Sequence, residues 1–394
     1  MRVLLVTTAF PRYVDDSEGT FIWQLAKTLH LRGVHVRVLA MHMPGAATRE
    51  DWDGVEIHRP LYLRPQALEA LRREPGGLPV SVSRHPHRLW QLPFFALVHA
   101  LSAIRLSGDA DVIHAHWTLS ALCAQPASKL RGKPLLATVQ GSDLLEASYG
   151  FIGSGMAALA LRKCANVTAL SLSLASRAKE LGVPAERVQI IPNGVDVSWF
   201  TPPDEDPKDV VVTYVGSLIP RKGVNFLLGA IPSIVEARSD TQFLIVGDGP
   251  QRGELEQLTT DLHVGGSVRF LGAQPPTMIR SLLRKSTLLV LPSKQEGFGV
   301  VLIEAMACGV PVVASNVDGI QDVVTSSAGI LVEPGSSPAL SSAIVDLLGN
   351  GARRVLMGAA GRQRAVQEYS WDIVGERYVS LYTSLLAKSP FPSI

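Results

Sequence analysis

Short apolar runs recur along the chain at intervals that leave room for one helix between them. Residues 3–7 have the composition of a buried strand, 21–31 that of a helix closed by Gly33, and 34–40 that of the next strand. Further runs of strand length follow at 112–115, 135–139, 167–170 and 188–191, with helical stretches between them. The rhythm restarts at 210–215 and continues through 243–246, 268–271, 288–291, 310–314 and 329–332. Runs without polar alternation predict strands covered on both faces, and intervening helices predict parallel pairing. The expected fold class is α/β, built from two Rossmann-like, doubly wound parallel sheets.

Between the two series lies Thr201-Pro202-Pro203-Asp204-Glu205-Asp206-Pro207-Lys208-Asp209, polar and proline-rich, the best linker in the chain. Domains are therefore expected at 1–200 and 201–370, followed by a terminal segment, 371–394, whose residues 371–386 read as a helix. Two such sheets would face a cleft lined by their strand ends. At 394 residues, 46% hydrophobic and 18% charged, the chain has material for two ordinary cores. A net charge of +2 points to no particular partner, and nucleic acid is not expected. Three scattered cysteines, Cys123, Cys164 and Cys308, form neither a metal pattern nor a disulfide framework, which fits a reducing compartment. The first apolar run ends at Thr7-Thr8 with no cleavage site after it, and no apolar stretch long enough to cross a bilayer is expected. A cytoplasmic protein is expected, resting on the inner face of a membrane if its basic segment docks there.

The segment most informative about chemistry is Glu296-Gly297-Phe298-Gly299-Val300-Val301-Leu302-Ile303-Glu304. It lies between the strand-like 288–292 and a helical stretch, 300–308. A strand–loop–helix junction aims unpaired N–H groups and the positive end of a helix dipole at one spot, which suits phosphate. Gly297 and Gly299 permit close approach of a ligand. Upstream, Tyr214-Val215-Gly216-Ser217-Leu218-Ile219-Pro220-Arg221-Lys222-Gly223 places two adjacent cations in a glycine-punctuated loop after a strand. Arg offers a fork and Lys a point charge, a pairing suited to a diphosphate. Val246-Gly247-Asp248-Gly249-Pro250 and Ile190-Ile191-Pro192-Asn193-Gly194-Val195-Asp196 complete the set.

In order and spacing these segments resemble the retaining GT-B glycosyltransferases known as glycosyl transferase group 1, or family 4, from Met1 to about Leu386. The resemblance implies that Glu296 meets the hydroxyls of the transferred sugar and Glu304 the nucleotide ribose. It also implies that Gly297, Phe298, Gly299 and Val300 offer backbone N–H groups to the diphosphate, which Lys222 holds with help from Arg221. Ser217 stands where many members carry Arg, and Arg221 is the residue placed to supply that charge. Gly19, in the loop between the first strand and its helix, would approach the diphosphate from the other domain. That loop is not a GxGxxG fingerprint, so a nicotinamide cofactor is not expected. The base would meet backbone around 268–272. Gln140, in Val139-Gln140-Gly141-Ser142-Asp143, stands where members usually carry His. Glutamine cannot shuttle a proton near neutral pH, which suits a front-face mechanism in which the leaving phosphate takes the acceptor's proton. Gln140, Asp143, His116 and Asn193 are the expected residues of the donor-sugar and acceptor cleft, and the C-terminal helix would cross back onto the first domain.

The implied activity is hexosyl transfer from a UDP- or GDP-sugar to a glycan, lipid-linked or small-molecule acceptor, in the synthesis of cell-envelope polysaccharide or glycolipid. No metal and no organic cofactor is expected. Asp109-Ala110-Asp111 matches the DxD of metal-dependent transferases, but it sits before a mid-domain strand and reads as a solvated turn. His114 and His116 share a strand face without a third ligand and read as structural or cleft-lining. Two other readings of the same residues stay open, a nucleotide-sugar 2-epimerase of similar fold and a two-domain sugar-binding protein. Replacing Glu296 by Gln or Lys222 by Ala is expected nearly to abolish transfer and to leave thermal stability largely intact. Finally, residues 59–107 carry seven arginines (59, 64, 72, 73, 84, 88 and 105) against Glu69 and Glu74, interleaved with aromatic and aliphatic residues. This segment reads either as an anionic-membrane contact or as a core helix edged with cations.

Overall fold

The first apolar run becomes β1 (Arg2–Thr7), in which every residue after Arg2 is buried. A computed structural model describes the chain except residues 15, 17, 72–76, 145–149, 206–208 and 389–394. Part of the proline-rich linker and part of the basic segment therefore lie outside the described residues. The chain divides into one unit of Met1–Pro192 with Trp371–Ile394 and a second of Asn193–Ser370. Residues 193–200 thus go with the second unit rather than the first. Val195 N–H donates to the Tyr369 carbonyl at 2.7 Å, and Arg362 donates to the carbonyls of Val197 and Phe200 at 2.8 and 2.7 Å. These backbone ties are invisible to composition, which marks only the prolines that follow.

In the first unit β1 is followed by α1 (Thr20–Leu31), β2 (His35–Ala40), β3 (Arg49–Trp52), β4 (Val55–His58), α2 (Gly77–Arg84) and α3 (Leu92–Leu106). Then come β5 (Val112–His116), α4 (Thr118–Arg131), β6 (Leu135–Val139), α5 (Gly150–Arg162), β7 (Asn166–Ala169), α6 (Leu172–Glu180) and β8 (Val188–Ile190). The sheet order is β3-β4-β2-β1-β5-β6-β7-β8, so the order reverses at β1/β5. All pairs are parallel except β3 with β4, an antiparallel edge hairpin that the apolar runs did not predict. Its signal was Asp53-Gly54, both at positive φ, the two-residue turn such hairpins favour.

The second unit runs β9 (Val211–Val215), α7 (Val224–Ala237), β10 (Gln242–Val246), α8 (Arg252–Asp261), β11 (Val268–Gly272) and α9 (Pro276–Arg284). It continues with β12 (Leu288–Leu291), α10 (Val300–Ala307), β13 (Val312–Ser315), β14 (Gly329–Val332), α11 (Ser337–Gly349) and α12 (Gly351–Glu368). Its order is β11-β10-β9-β12-β13-β14, wholly parallel, reversing at β9/β12. Both sheets are doubly wound α/β layers of the GT-B kind.

One expectation fails at α3. A 3₁₀ turn, Pro86–Gln91, runs directly into it and yields a helical run of 21 residues, Pro86–Leu106, that is long and apolar enough to cross a bilayer by length and composition. Pro86 and Pro93 disguised it, but each stands at the start of its own helical segment, where a missing N–H costs nothing. The helix packs on α4 with Phe95, His99 and Ala103 buried.

The terminal helix α13 (Trp371–Lys388) belongs to the first unit and buries Trp371, Val374, Tyr378, Leu381, Tyr382 and Leu385 in the same core as β1 and α1. A fully buried polar chain fastens it to the sheet. His114 on β5 bonds through Nδ1 to the Tyr382 hydroxyl (2.7 Å) and through Nε2 to the Thr138 hydroxyl (2.6 Å). Thr138 in turn meets the hydroxyls of Thr168 (2.5 Å) and Tyr378 (3.3 Å). Burial, with the neighbouring His116, holds His114 well below its ordinary range, so the ring is neutral and the hydroxyls supply whichever partner each nitrogen needs. Removing the Tyr382 hydroxyl leaves one nitrogen unpaired. Tyr382→Phe should therefore lower stability by about 1–3 kcal/mol, read as a fall in the urea midpoint; an unchanged midpoint would show that the network does not hold the helix.

Candidate active site

Four loops meet at the C-terminal ends of β9, β10, β12 and β13. Gly216 N–H donates to the Val246 carbonyl at 2.9 Å, and Leu218 N–H to the Asp248 carbonyl at 2.9 Å, joining the β9 and β10 loops. The β9 and β12 loops are joined by Lys294 N–H, which donates to the Arg221 carbonyl at 2.7 Å. Gly223, at φ +64°, touches the same loop so closely that a Cβ there would lie 2.2 Å from the Pro292 carbonyl oxygen. Gly319, in the β13 loop at φ +82°, presses on Glu296 and Gly297, where a Cβ would come within 2.5 Å of backbone. No side chain fits at either position, so glycine is what lets the loops close. Their meeting place is the crevice beside β9 and β12 where the strand order reverses, the usual binding position of an open α/β sheet.

Lys222 ends the 3₁₀ turn Pro220–Lys222, and its Nζ donates to Glu296 Oε2 across 74 residues of sequence. Their side chains are 14% and 10% exposed, so the pair is nearly out of water. Burial alone would raise the Glu296 carboxyl. The charges of Lys222 and then Arg221 outweigh it, helped by hydrogen bonds from Lys222 and from Gly297 N–H (3.2 Å), and hold the carboxyl below its ordinary range. Ser293 Oγ adds a long contact at 3.4 Å. Ser217, the neutral residue in the β9 loop, is fixed through its carbonyl, which accepts from the Tyr214 hydroxyl at 3.0 Å. Lys222 thus contacts the Glu296 carboxylate, and Arg221 acts on it through its charge.

Gly299, in the left-handed region, opens α10, whose first N–H groups start at Val300. Phe298 is buried, its ring 5.8 Å from that of Tyr369, and it anchors the loop from below. Glu304 sits on the second turn of α10. Its surface is only partly open, and burial lifts its carboxyl from 4.5 to about 7.

In the first unit, Gly19 caps α1 at φ +69° and lies against the Ala9–Phe10 backbone, where a Cβ would come within 2.9 Å. This places it in the loop that leaves β1. Gln140 follows β6, and its Nε2 lies 3.0 Å from His116 Nδ1 at the end of β5. Burial lowers His116 to about 3, so it is neutral. Its ring stacks on His114 with centroids 4.2 Å apart, and its Nε2 is buried without a partner among the described residues. Asp143 turns inward instead. Its carboxylate accepts from the N–H groups of Gln140 and Gly141 (3.0 Å each) and Thr118 (3.2 Å), so it ties the β6 loop to the start of α4. Burial still raises it to about 6 against those bonds. Gln140, His116 and Asp143 are brought together; Asn193 is buried in the second unit. Asp109, in an exposed turn, pairs with Arg37 (2.9 Å) and Asp111 accepts from Arg2 N–H (2.8 Å), so the DxD is a solvent-facing turn that also braces the N-terminal ends of the central strands.

Sequence reasoning missed Ser293, Tyr214 and Gly319. Only Gly319 left a signal, a glycine after polar residues at the end of a strand. Trp117 was also missed: it enters α4 at φ 68°, ψ 152°, a conformation uncommon outside glycine, and donates from its indole to Ser142 Oγ at 3.2 Å.

Comparison with known proteins agrees with this architecture. The family model described as glycosyl transferases group 1 matches residues 198–364, and that described as glycosyltransferase family 4 matches residues 19–199. The chain is 32% identical over 388 residues to the phosphatidyl-myo-inositol mannosyltransferase of Mycobacterium leprae, covering 94% of each chain. It is 36% identical over 213 residues to a GDP-mannose-dependent monoacylated alpha-(1-6)-phosphatidylinositol monomannoside mannosyltransferase of Corynebacterium glutamicum, covering 49% of this chain and 55% of that one. Among solved structures it is similar in fold to a sucrose-phosphate synthase from Thermosynechococcus elongatus, with a TM-score of 0.82, 24% identity, and coverage of 99% of this chain and 100% of that one. Two doubly wound sheets, a cationic loop at the second sheet's reversal point and full-length likeness to a curated mannosyltransferase lead to one conclusion: the chain belongs to the group 1, family 4 glycosyltransferases of GT-B fold.

Proposed function

We propose that the protein moves a hexosyl group, mannosyl in the first instance, from a nucleoside-diphosphate sugar to a hydroxyl of a lipid-linked or small-molecule acceptor, with retention at the anomeric carbon. The observation that carries the reading is the Lys222–Glu296 pair at the β9/β12 reversal, with Arg221 beside it. The printed activities of the two relatives, both mannosyltransferases and one GDP-mannose-dependent, supply the first donor to try.

In this reading Lys222 exchanges one anion for another. Without donor it neutralises Glu296. With donor it turns to the diphosphate, and Glu296 is freed for the sugar's hydroxyls. Val300 and the residues before it offer N–H groups to the same phosphates, and Glu304 takes a ribose hydroxyl. As the bond from C1 to the leaving phosphate oxygen breaks, negative charge grows where Lys222 and Arg221 already stand, which lowers the barrier without reorganising solvent. The acceptor oxygen bonds to C1 on the same face, and its proton passes to the leaving phosphate. Gln140 cannot take up a proton near pH 7 and burial leaves His116 a poor base, so in this reading the leaving phosphate is the proton acceptor. No step calls for a metal.

The nearly buried pair changes what substitution should do to stability. The sequence alone suggested that Lys222→Ala would be silent in the fold; with Glu296 beneath it, the variant leaves a carboxylate stranded, at a cost of up to about 3–5 kcal/mol. Lys222→Met with Glu296→Gln should recover most of the thermal midpoint and none of the transfer. Glu296→Gln alone should cut turnover by about 10²–10³. A single variant with normal turnover, measured as nucleoside diphosphate release from GDP-mannose with an acceptor extract, would remove the site assignment.

Glu304 predicts a pH dependence. Its folded value is raised from 4.5 to about 7, so ionising it opposes folding: the penalty is absent below about pH 4.5 and complete above about pH 7. Glu304→Gln should therefore raise the thermal midpoint at pH 8 and leave it unchanged at pH 4.5, while weakening donor binding. Equal shifts at both pH values would contradict the burial of this carboxyl.

A further inference from the structure

The second unit holds a cavity of about 810 Å³, within the range of about 300–1,000 Å³ usual for small-molecule sites. Thr287, which leads into β12, and Pro311, which leads into β13, are in its wall. It therefore lies at the N-terminal strand ends, the edge of the sheet opposite the Lys222–Glu296 crevice. Arg284, Arg354 and Arg362 line it, and among the described residues no carboxylate does. Gly351, the first residue of α12, brings the positive end of that helix's dipole to the same place. Pro202, Val355 and Ala359 form an apolar part of the wall.

Three guanidinium groups in one hollow call for anions, and the described chain supplies few. Arg362 donates to the carbonyls of Phe200, Ala307 and Val197 at 2.7–2.8 Å, none of which carries a formal charge. Arg354 donates to the carbonyls of Leu347 and Leu348 at 2.6 and 2.7 Å. Both bonds use Nη1, so its Nη2 side has no partner among the described residues. Burial, and then the charge of Arg238, lowers Arg354 from the ordinary arginine range: a second cation crowds it where an anion would relieve it. Arg284 alone meets a carboxylate, Asp204 at 2.9 Å, but that side chain is 97% exposed, and a surface pair of this kind exchanges readily. The Arg284 Nε is buried without a partner among the described residues. The cations are felt at the buried Cys308, also in the wall. Burial and then Glu304 push its thiol up to about 12, while Arg280, Arg284 and Arg362 act in the opposite sense.

We infer that this cavity is a second anion site, which takes a small metabolite bearing a phosphate or diphosphate group. Guanidinium forks match phosphate oxygens in both geometry and charge. The ligand's anion replaces Asp204 on Arg284 and reaches Arg354, while its body lies along the apolar wall beside Val355. The claim is independent of the transfer reaction, and its test needs no turnover.

The full chain is titrated calorimetrically with inorganic pyrophosphate, as the parent and as Lys222→Met/Glu296→Gln, which weakens the crevice at the other edge of the sheet. Pyrophosphate should still bind the double variant. Val355 is 68% exposed, so its replacement leaves the fold alone. Added to the double variant, Val355→Glu supplies the arginines with an internal carboxylate and should weaken binding about tenfold or more, at a thermal midpoint no lower than before. Val355→Gln, of the same bulk without the charge, should leave binding unchanged. Arg284→Gln/Arg354→Gln should weaken it at least as much as Val355→Glu does. Equal binding by the Val355→Glu and Val355→Gln chains, or no binding by the double variant, overturns the proposal. So does binding that disappears in about 0.15 M sodium chloride, which would mark unspecific attraction to a basic surface.

Discussion

A carboxylate kept ionised with little water around it is the constraint from which the second unit's site follows. Burial pushes Glu296 toward its neutral form, and only the adjacent charges of Lys222 and Arg221 reverse that. Those cations must be held close, on a loop that leaves β9 while Glu296 leaves from beyond β12. Hence the glycines at 223 and 319, whose missing side chains let neighbouring loops touch backbone to backbone. Hence also the parallel topology, which brings β9 and β12 side by side although they are distant in sequence. A cation pair satisfied by an internal anion is poised rather than exposed: an incoming diphosphate competes with a carboxylate, not with bulk water.

The corresponding corner of the first unit is built on the opposite principle. At the ends of β5 and β6 the polar groups are neutral or bound inward. His116 is uncharged, Gln140 leans on it, and Asp143 spends its oxygens on backbone N–H groups. Below them, the His114–Thr138–Tyr382 chain locks the sheet to α13 without introducing a charge. A neutral, hydrogen-bonding wall suits sugar hydroxyls, as a doubly cationic loop suits phosphates.

Much of this was legible in the sequence. Central strands such as β5, β6, β12 and β13 are buried along their whole length, so their composition announces them. The β3–β4 hairpin was not, because an edge strand reading Arg49-Glu50-Asp51-Trp52 lacks any apolar run. The candidate site residues stood out by type and by their places after strands. That Lys222 and Glu296 hold each other did not, since no local rule links positions 74 apart. The inward turn of Asp143 was equally hidden: a carboxylate after a glycine looks the same whether it faces solvent or three buried N–H groups.

The most direct test of the anion exchange is a crystal structure of the full chain with GDP or UDP bound. The account predicts the diphosphate beside the ends of β9 and β12, Lys222 Nζ drawn from Glu296 onto a phosphate oxygen, and the N-terminus of α10 facing the same group. A nucleotide bound away from this crevice, or a Lys222–Glu296 pair that stays closed beside a bound diphosphate, would contradict it.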